Sequence, residues 1–107
     1  VARLGGRPTR ATAALMAMRS KGDIGDSAFL LGKIHADQLG SPGAAVQWFE
    51  TYLSESPNGP LAEQALGRLL ELNRHTPKAG CSLAERYLQR YPQGAYAALA
   101  RRLRDEP

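Results

Sequence analysis

The chain has 107 residues, of which 43% are hydrophobic and 22% are charged. These proportions are ordinary for a folded domain and too apolar for a disordered chain. A single cysteine excludes an internal disulfide, and no apolar run reaches the roughly 18 residues that cross a bilayer. The sequence therefore predicts one domain over residues 1–107 and no direct insertion into a membrane.

The net charge of +4 is carried by the two ends of the chain. Residues 1–21 hold five basic side chains and no acidic one, whereas residues 22–100 hold six basic and eight acidic side chains. This balance leaves no continuous basic track for phosphates along the body of the chain. We therefore expect no binding to nucleic acid.

Helix signals divide the chain into six predicted helices, and no segment alternates as a half-buried strand would. Two helices begin at Ser41-Pro42 and Thr76-Pro77, where a hydroxyl precedes a proline at the first helical position. Prolines and glycines at 57–59 and 92–94 end these helices and allow the next ones to start. In chain order, the predicted helices cover residues 8–20, 25–39, 42–55, 60–74, 77–90 and 94–104.

The sequence repeats itself at an offset of 35 residues. Residues 31–65 and 66–100 share eleven identities without a gap, whereas chance predicts roughly two or three for this composition. Each unit reads as helix, turn, helix, turn. We therefore predict repeats at 25–59 and 60–94, with helices 8–20 and 94–104 as caps. Arginines are expected to solvate the two capped ends: Arg3, Arg7, Arg10, Arg101, Arg102 and Arg104.

The repeated positions resemble those of the tetratricopeptide repeat (TPR) family. The first unit carries Leu31-Gly32, His35, Ala44, Trp48 and Pro57, and the second carries Leu66-Gly67, Ala79, Leu83 and Pro92. The resemblance implies an all-α fold, a right-handed superhelix of antiparallel helix pairs. In such a pair, Gly32 and Gly67 would allow the two helices to approach closely, with Ala44 and Ala79 opposite them.

The turn sequences at 52–59 and 87–94 are similar to a style found in bacterial envelope proteins with such repeats. Outer-membrane assembly lipoproteins, the periplasmic coordinator of the Tol-Pal system and extensions of anti-sigma regulators share this style. This similarity implies the periplasm as the compartment, with the cytoplasm as the alternative.

Residue patterns for catalysis or for cofactor binding are missing from the sequence. Its glycines lack the spacing of a phosphate-binding loop, and His35 and Asp37 point to different faces of a helix. Cys81 and His75 have no third residue to orient a base. The prediction is therefore a protein that is not an enzyme and binds neither metal nor cofactor.

In a tetratricopeptide array, the first helix of each unit lines a concave groove, so the resemblance implies a protein-protein interaction scaffold. Lys33 and Arg68 are equivalent positions, and side by side they would favour an acidic segment of a peptide or protein. The alternative is a structural unit that extends or oligomerises a larger protein, and a homo-oligomer stays open. The predicted groove residues are Asp26, Phe29, Lys33, Asp37, Gln64, Arg68, Glu71 and Tyr96.

Overall fold

A computed structural model describes residues 2–105, with side chains from residue 9 onward. This part of the chain is all-helical and contains no strand, as predicted. The predicted solvation by Arg3 and Arg7 lies outside the described side chains. The helices are α1 (Ala2–Ser20), α2 (Ser27–Asp37), α3 (Pro42–Glu55), α4 (Ala62–Leu72), α5 (Pro77–Arg90) and α6 (Ala97–Asp105).

The proline signals place α3 and α5 correctly, from Pro42 and Pro77 to the residues before the next breaks. The expected hydroxyl caps are wrong, because neither Ser41 nor Thr76 caps its helix through its side chain. The Ser41 hydroxyl instead donates to the Leu39 carbonyl at 3.4 Å, a local competitor of the kind that serine often uses. Proline at the first helical position is therefore the signal that fixes these two starts.

Helices α2, α4 and α6 begin later than predicted because each follows the same tight turn. The amide nitrogens of Ser27, Ala62 and Ala97 donate to the carbonyls of residues 24, 59 and 94, at 2.9, 3.1 and 3.1 Å. These three small residues are 2%, 0% and 4% exposed. The turn recurs every 35 residues, so the backbone follows the period of the sequence. The first helix begins earlier than predicted, at Ala2 rather than near residue 8.

The described residues form two compact units, which divide between Pro57 and Asn58. In unit 1, α2 packs on α3 through a core of aromatic rings. Phe29 meets Phe49 and Tyr52 edge-on, with ring centroids 5.4 and 5.9 Å apart. Helix α1 covers α2 with a half-buried stripe that includes Leu15 and Arg19.

In unit 2, α5 packs against both α4 and α6. The core is mainly aliphatic, and the Tyr87 ring is fully buried within it. Ala84 occupies the position that Phe49 has in unit 1, and both residues are 0% exposed. The other buried core residues of this unit are Ala62, Ala65, Leu66, Leu69, Leu70, Leu83, Ala97 and Ala100.

None of the helices in residues 2–105 has the combination of length and apolar character that a membrane span requires.

Candidate functional site

The predicted groove residues of unit 1 lie along α2 and the turn before it. Asp26, Lys33 and Asp37 are exposed. Phe29 is only 4% exposed, so its expected outward orientation is wrong. Its ring is held between Phe49 and Tyr52 in the core, and it offers no surface to a partner.

The predicted groove residues of unit 2 form a local cluster. Gln64 is exposed, whereas Arg68, Glu71 and Tyr96 are half-buried. The Arg68 guanidinium lies 3.7 Å from the Glu71 carboxylate, one helical turn away. Burial raises the pKa of the Tyr96 phenol, and the nearby Glu71 carboxylate adds to that shift. The structure therefore brings Arg68, Glu71 and Tyr96 together on one surface.

Lys33 belongs to unit 1 and Arg68 to unit 2. Their predicted side-by-side arrangement stays a prediction.

Gly32 is a site of close approach to the paired helix α3, as predicted, whereas the nearest neighbour of Gly67 is Tyr96, which precedes α6 and does not belong to the paired helix α5. A Cβ atom at position 32 would lie 2.8 Å from Cε1 of Phe49, and one at position 67 would overlap the ring of Tyr96. Ala44 and Ala79 were expected there because small residues commonly face each other where helices are close. In both units the nearest neighbour of the glycine is instead an aromatic ring.

A hydrogen-bond network around Tyr87 organises the start of α6. The Tyr87 hydroxyl donates to Oε2 of Glu63 at 2.7 Å and accepts from the Tyr96 amide at 2.9 Å. The Ala95 amide also donates to Oε2 of Glu63, at 3.2 Å. Burial, with a further contribution from Glu63, raises the pKa of Tyr87 to about 12. A Cβ atom at Gly94 would collide with both the Tyr87 hydroxyl and the Glu63 carboxylate, which explains the glycine there.

Unit 1 contains a polar cluster that joins its three helices. The Arg19 guanidinium forms a two-point ion pair with Glu55 and donates to the Ser27 hydroxyl at 3.0 Å. It also lies 5.2 Å from the centre of the Trp48 ring, within cation–π distance. The Arg19 and Glu55 side chains are 18% and 25% exposed, and the hydrogen bond from Arg19 to Glu55 raises the pKa of Arg19.

Sequence reasoning missed both polar networks. Arg19 and Glu55 are 36 positions apart, and Tyr87 and Glu63 are 24 apart. Neither pair is separated by the three or four residues that bring side chains together on one helix, so no local pattern reveals the pairing. The one available signal was Tyr87 itself, because a repeated, buried tyrosine needs a partner for its hydroxyl.

Two surface cavities lie in unit 2. One has a volume of about 220 Å³ and is lined by Arg74, His75, Leu99, Arg102 and Leu103. The other has a volume of about 300 Å³ and is lined by Glu85, Leu88, Gln89 and Arg104.

Groups that could support catalysis or metal binding are scattered. In the described part of the chain, no three histidine, cysteine or acidic side chains are grouped to hold a metal ion. Cys81 is half-buried, and His35 is half-buried with its Nδ1 atom inaccessible and without a hydrogen-bond partner.

Comparisons with known proteins give no relative from which a function could be transferred. No protein-family model matches the sequence, and neither the curated proteins nor the solved structures give a match.

Proposed function

We propose that this chain is a non-catalytic tetratricopeptide-like module that binds a segment of a peptide or protein. Support for the repeat assignment comes from the turn that recurs at residues 24–27, 59–62 and 94–97, the period of the sequence identities. The superhelix and its groove follow from the resemblance. The bacterial envelope, with the periplasm before the cytoplasm, is proposed from the style of the turn sequences alone.

The observation that carries the proposal is the surface formed by Gln64, Arg68, Glu71 and Tyr96. It combines a guanidinium and a carboxylate on α4, whose opposite side is packed, with the aromatic ring of Tyr96, which precedes α6. Mixed polar and aromatic surfaces of this kind are typical of protein interfaces, in which arginine and tyrosine are enriched. Arg68 and Glu71 keep 25% and 42% of their side-chain surface exposed, so both remain available to a partner.

A selection experiment tests this surface. The whole chain is panned against a phage-displayed library of random peptides, and the enriched peptides are measured by calorimetry. Lys33→Glu with Arg68→Glu is expected to weaken binding by more than about tenfold, the scale of a lost charge-assisted contact pair. Enriched peptides should carry acidic residues.

The matched control is Lys21→Glu with Lys78→Glu, which reverses one exposed lysine in each unit outside the predicted groove. This variant should keep its affinity to within about twofold, because exposed charges away from the contact act only weakly. If both double variants lose affinity equally, or if no peptide is enriched, the groove assignment is wrong.

The second candidate function is a structural or oligomerising unit. Four large apolar side chains in unit 1 favour it: Met16, Met18, Ile24 and Leu30 are 49%, 41%, 41% and 43% exposed. Exposed apolar side chains are used in contacts between subunits where they form one patch. Sedimentation equilibrium over a range of concentrations separates the two functions. A dimer that dissociates in Met16→Gln with Leu30→Gln supports the structural role, and a monomer at all concentrations contradicts it.

A further inference from the structure

The cavity of about 220 Å³ in unit 2 has two walls of different chemistry. Arg74 and His75 lie in the turn between α4 and α5, and Arg102 approaches from α6. Leu99 and Leu103, one turn apart on α6, supply the apolar part of the lining. Arg102 is exposed, as the sequence predicts for this end of the chain, and it also lines this cavity.

Within residues 2–105, the two arginines of the cavity have no acidic partner. Arg74 donates from Nε to Nε2 of His75 at 3.3 Å, and within residues 2–105 Arg102 makes neither a hydrogen bond nor an ion pair. Other arginines of the chain are neutralised, as Arg19 is by Glu55 and Arg104 by Asp105. Both arginines are exposed, so the cavity presents two positive charges that an anionic ligand can contact.

The size of the cavity limits what can enter it. Sites for small molecules usually have volumes of about 300 to 1,000 Å³, so about 220 Å³ accommodates one or two amino-acid side chains. A carboxylate satisfies the guanidinium groups, and a neighbouring apolar side chain fits against the leucines. A free phosphate would use the arginines and leave the leucines uncovered, so it fits the lining less well.

We propose that this cavity is an anchor site for an acidic–apolar pair in a bound protein segment, a glutamate or aspartate next to a large apolar residue. The glutamate or aspartate carboxylate lies between Arg74 and Arg102, and the apolar side chain packs on Leu99 and Leu103. None of the residues that line this cavity belongs to the Arg68 surface of the proposed groove, so the two proposals are tested with different variants.

Nuclear magnetic resonance titrations test the site with blocked dipeptides. The probe is acetyl-Leu-Glu-amide, and the resonances followed are the methyl groups of Leu99 and Leu103 and the Nε–H groups of Arg74 and Arg102. We expect saturable shifts with a Kd in the millimolar range, because the probe contributes only two residues. Acetyl-Leu-Gln-amide should bind about tenfold more weakly, because it lacks the charge. Acetyl-Gly-Glu-amide should also bind more weakly, because it lacks the apolar contact.

Substitutions of single arginines test whether the probe binds in this cavity. Arg74→Gln and Arg102→Gln should each weaken the binding of the probe by about fivefold or more, whereas Arg101→Gln should leave it unchanged. Arg101 is the matched control, because it neighbours Arg102 on α6 but donates to the Pro92 carbonyl at 2.6 Å. Circular dichroism of each variant checks that the helices are intact.

Three results would overturn the proposal: no shift up to about 20 mM probe, equal effects of Arg101→Gln and Arg102→Gln, or inorganic phosphate binding as tightly as the dipeptide. The last result would mean that the cavity binds small anions without selecting the apolar neighbour. Arg68→Glu should leave the titration unchanged, so failure of the groove and failure of this cavity are distinguishable.

Discussion

The ring of Tyr96 lies against Gly67, so close that a Cβ atom at position 67 would overlap it. Tyr96 precedes α6 and Gly67 lies in the middle of α4, so this contact fixes the entry to one helix on the surface of another. The Tyr96 amide is held at the same time by the Tyr87 hydroxyl. Backbone and ring of Tyr96 are therefore positioned by two separate helices.

The first prediction concerns Gly67→Ala. The methyl group displaces the Tyr96 ring, so we expect a loss of about 1 to 3 kcal/mol in the free energy of unfolding, despite the better helix propensity of alanine. The measurement is urea unfolding followed by circular dichroism. Gly43→Ala in α3 is the matched control, because nothing lies within 4 Å of its Cβ position. It should be neutral or stabilising by up to about 1 kcal/mol.

The second prediction ranks the two close-approach glycines. Gly32→Ala should lower the free energy of unfolding more than Gly67→Ala does, although an added Cβ atom overlaps its neighbour more deeply at Gly67. Phe49, the neighbour of Gly32, is 0% exposed and fixed edge-on against Phe29, whereas Tyr96 is half-buried and can rotate outward. Urea unfolding of both variants gives the ranking. A smaller loss for Gly32→Ala would show that the core around Phe49 can adjust.

Residue chemistry along the chain predicts part of this fold with accuracy. Pro42 and Pro77 start helices where expected, because proline restricts the backbone locally and needs no distant partner. The starts at Ser27, Ala62 and Ala97 were placed too early, since apolar spacing continues through the preceding turns. Those turns are set by backbone hydrogen bonds, which side-chain periodicity does not record.

The candidate site was less predictable than the fold. The positions that the family resemblance implies for the groove include the exposed residues Asp26, Lys33 and Gln64, but they also include Phe29, which is buried. Periodicity gives the direction of a side chain and not the depth at which its helix is packed. Gly32 leaves room beside α2 for the Phe49 ring, and that ring draws Phe29 into the core.

The third prediction concerns Tyr87→Phe at neutral pH. The change removes the hydrogen bonds of the hydroxyl to Glu63 and to the Tyr96 amide, so we expect a loss of about 1 to 3 kcal/mol in the free energy of unfolding. Tyr91→Phe is the control, because its half-buried hydroxyl has no hydrogen bond within the described residues. Equal losses in the two variants would contradict a special role for the Tyr87 hydroxyl.

The fourth prediction is an alkaline transition that depends on Tyr87. Its pKa is about 12 in the folded chain against an ordinary value of 10.0, so folding favours the neutral phenol. The resulting stability is fully present below pH 10 and is lost as the pH rises toward 12, by about 2 to 3 kcal/mol. Wild type and Tyr87→Phe are unfolded in urea at a series of pH values. The difference between them should shrink across this window, and a constant difference would contradict the prediction.

The fifth prediction tests the contacts of Arg19 with Glu55 and Trp48. Lysine cannot form the two-point ion pair, so Arg19→Lys should lower the free energy of unfolding by about 1 kcal/mol. Arg10→Lys is the matched control, because Arg10 is exposed on the same helix and, among the residues that the structure describes, contacts no acidic side chain. Trp48 is the single tryptophan of the chain, so its fluorescence reports how far the Arg19 guanidinium shields the ring from solvent. Arg19→Ala should shift its emission to longer wavelength, and an unchanged emission would show that the guanidinium does not shield the ring.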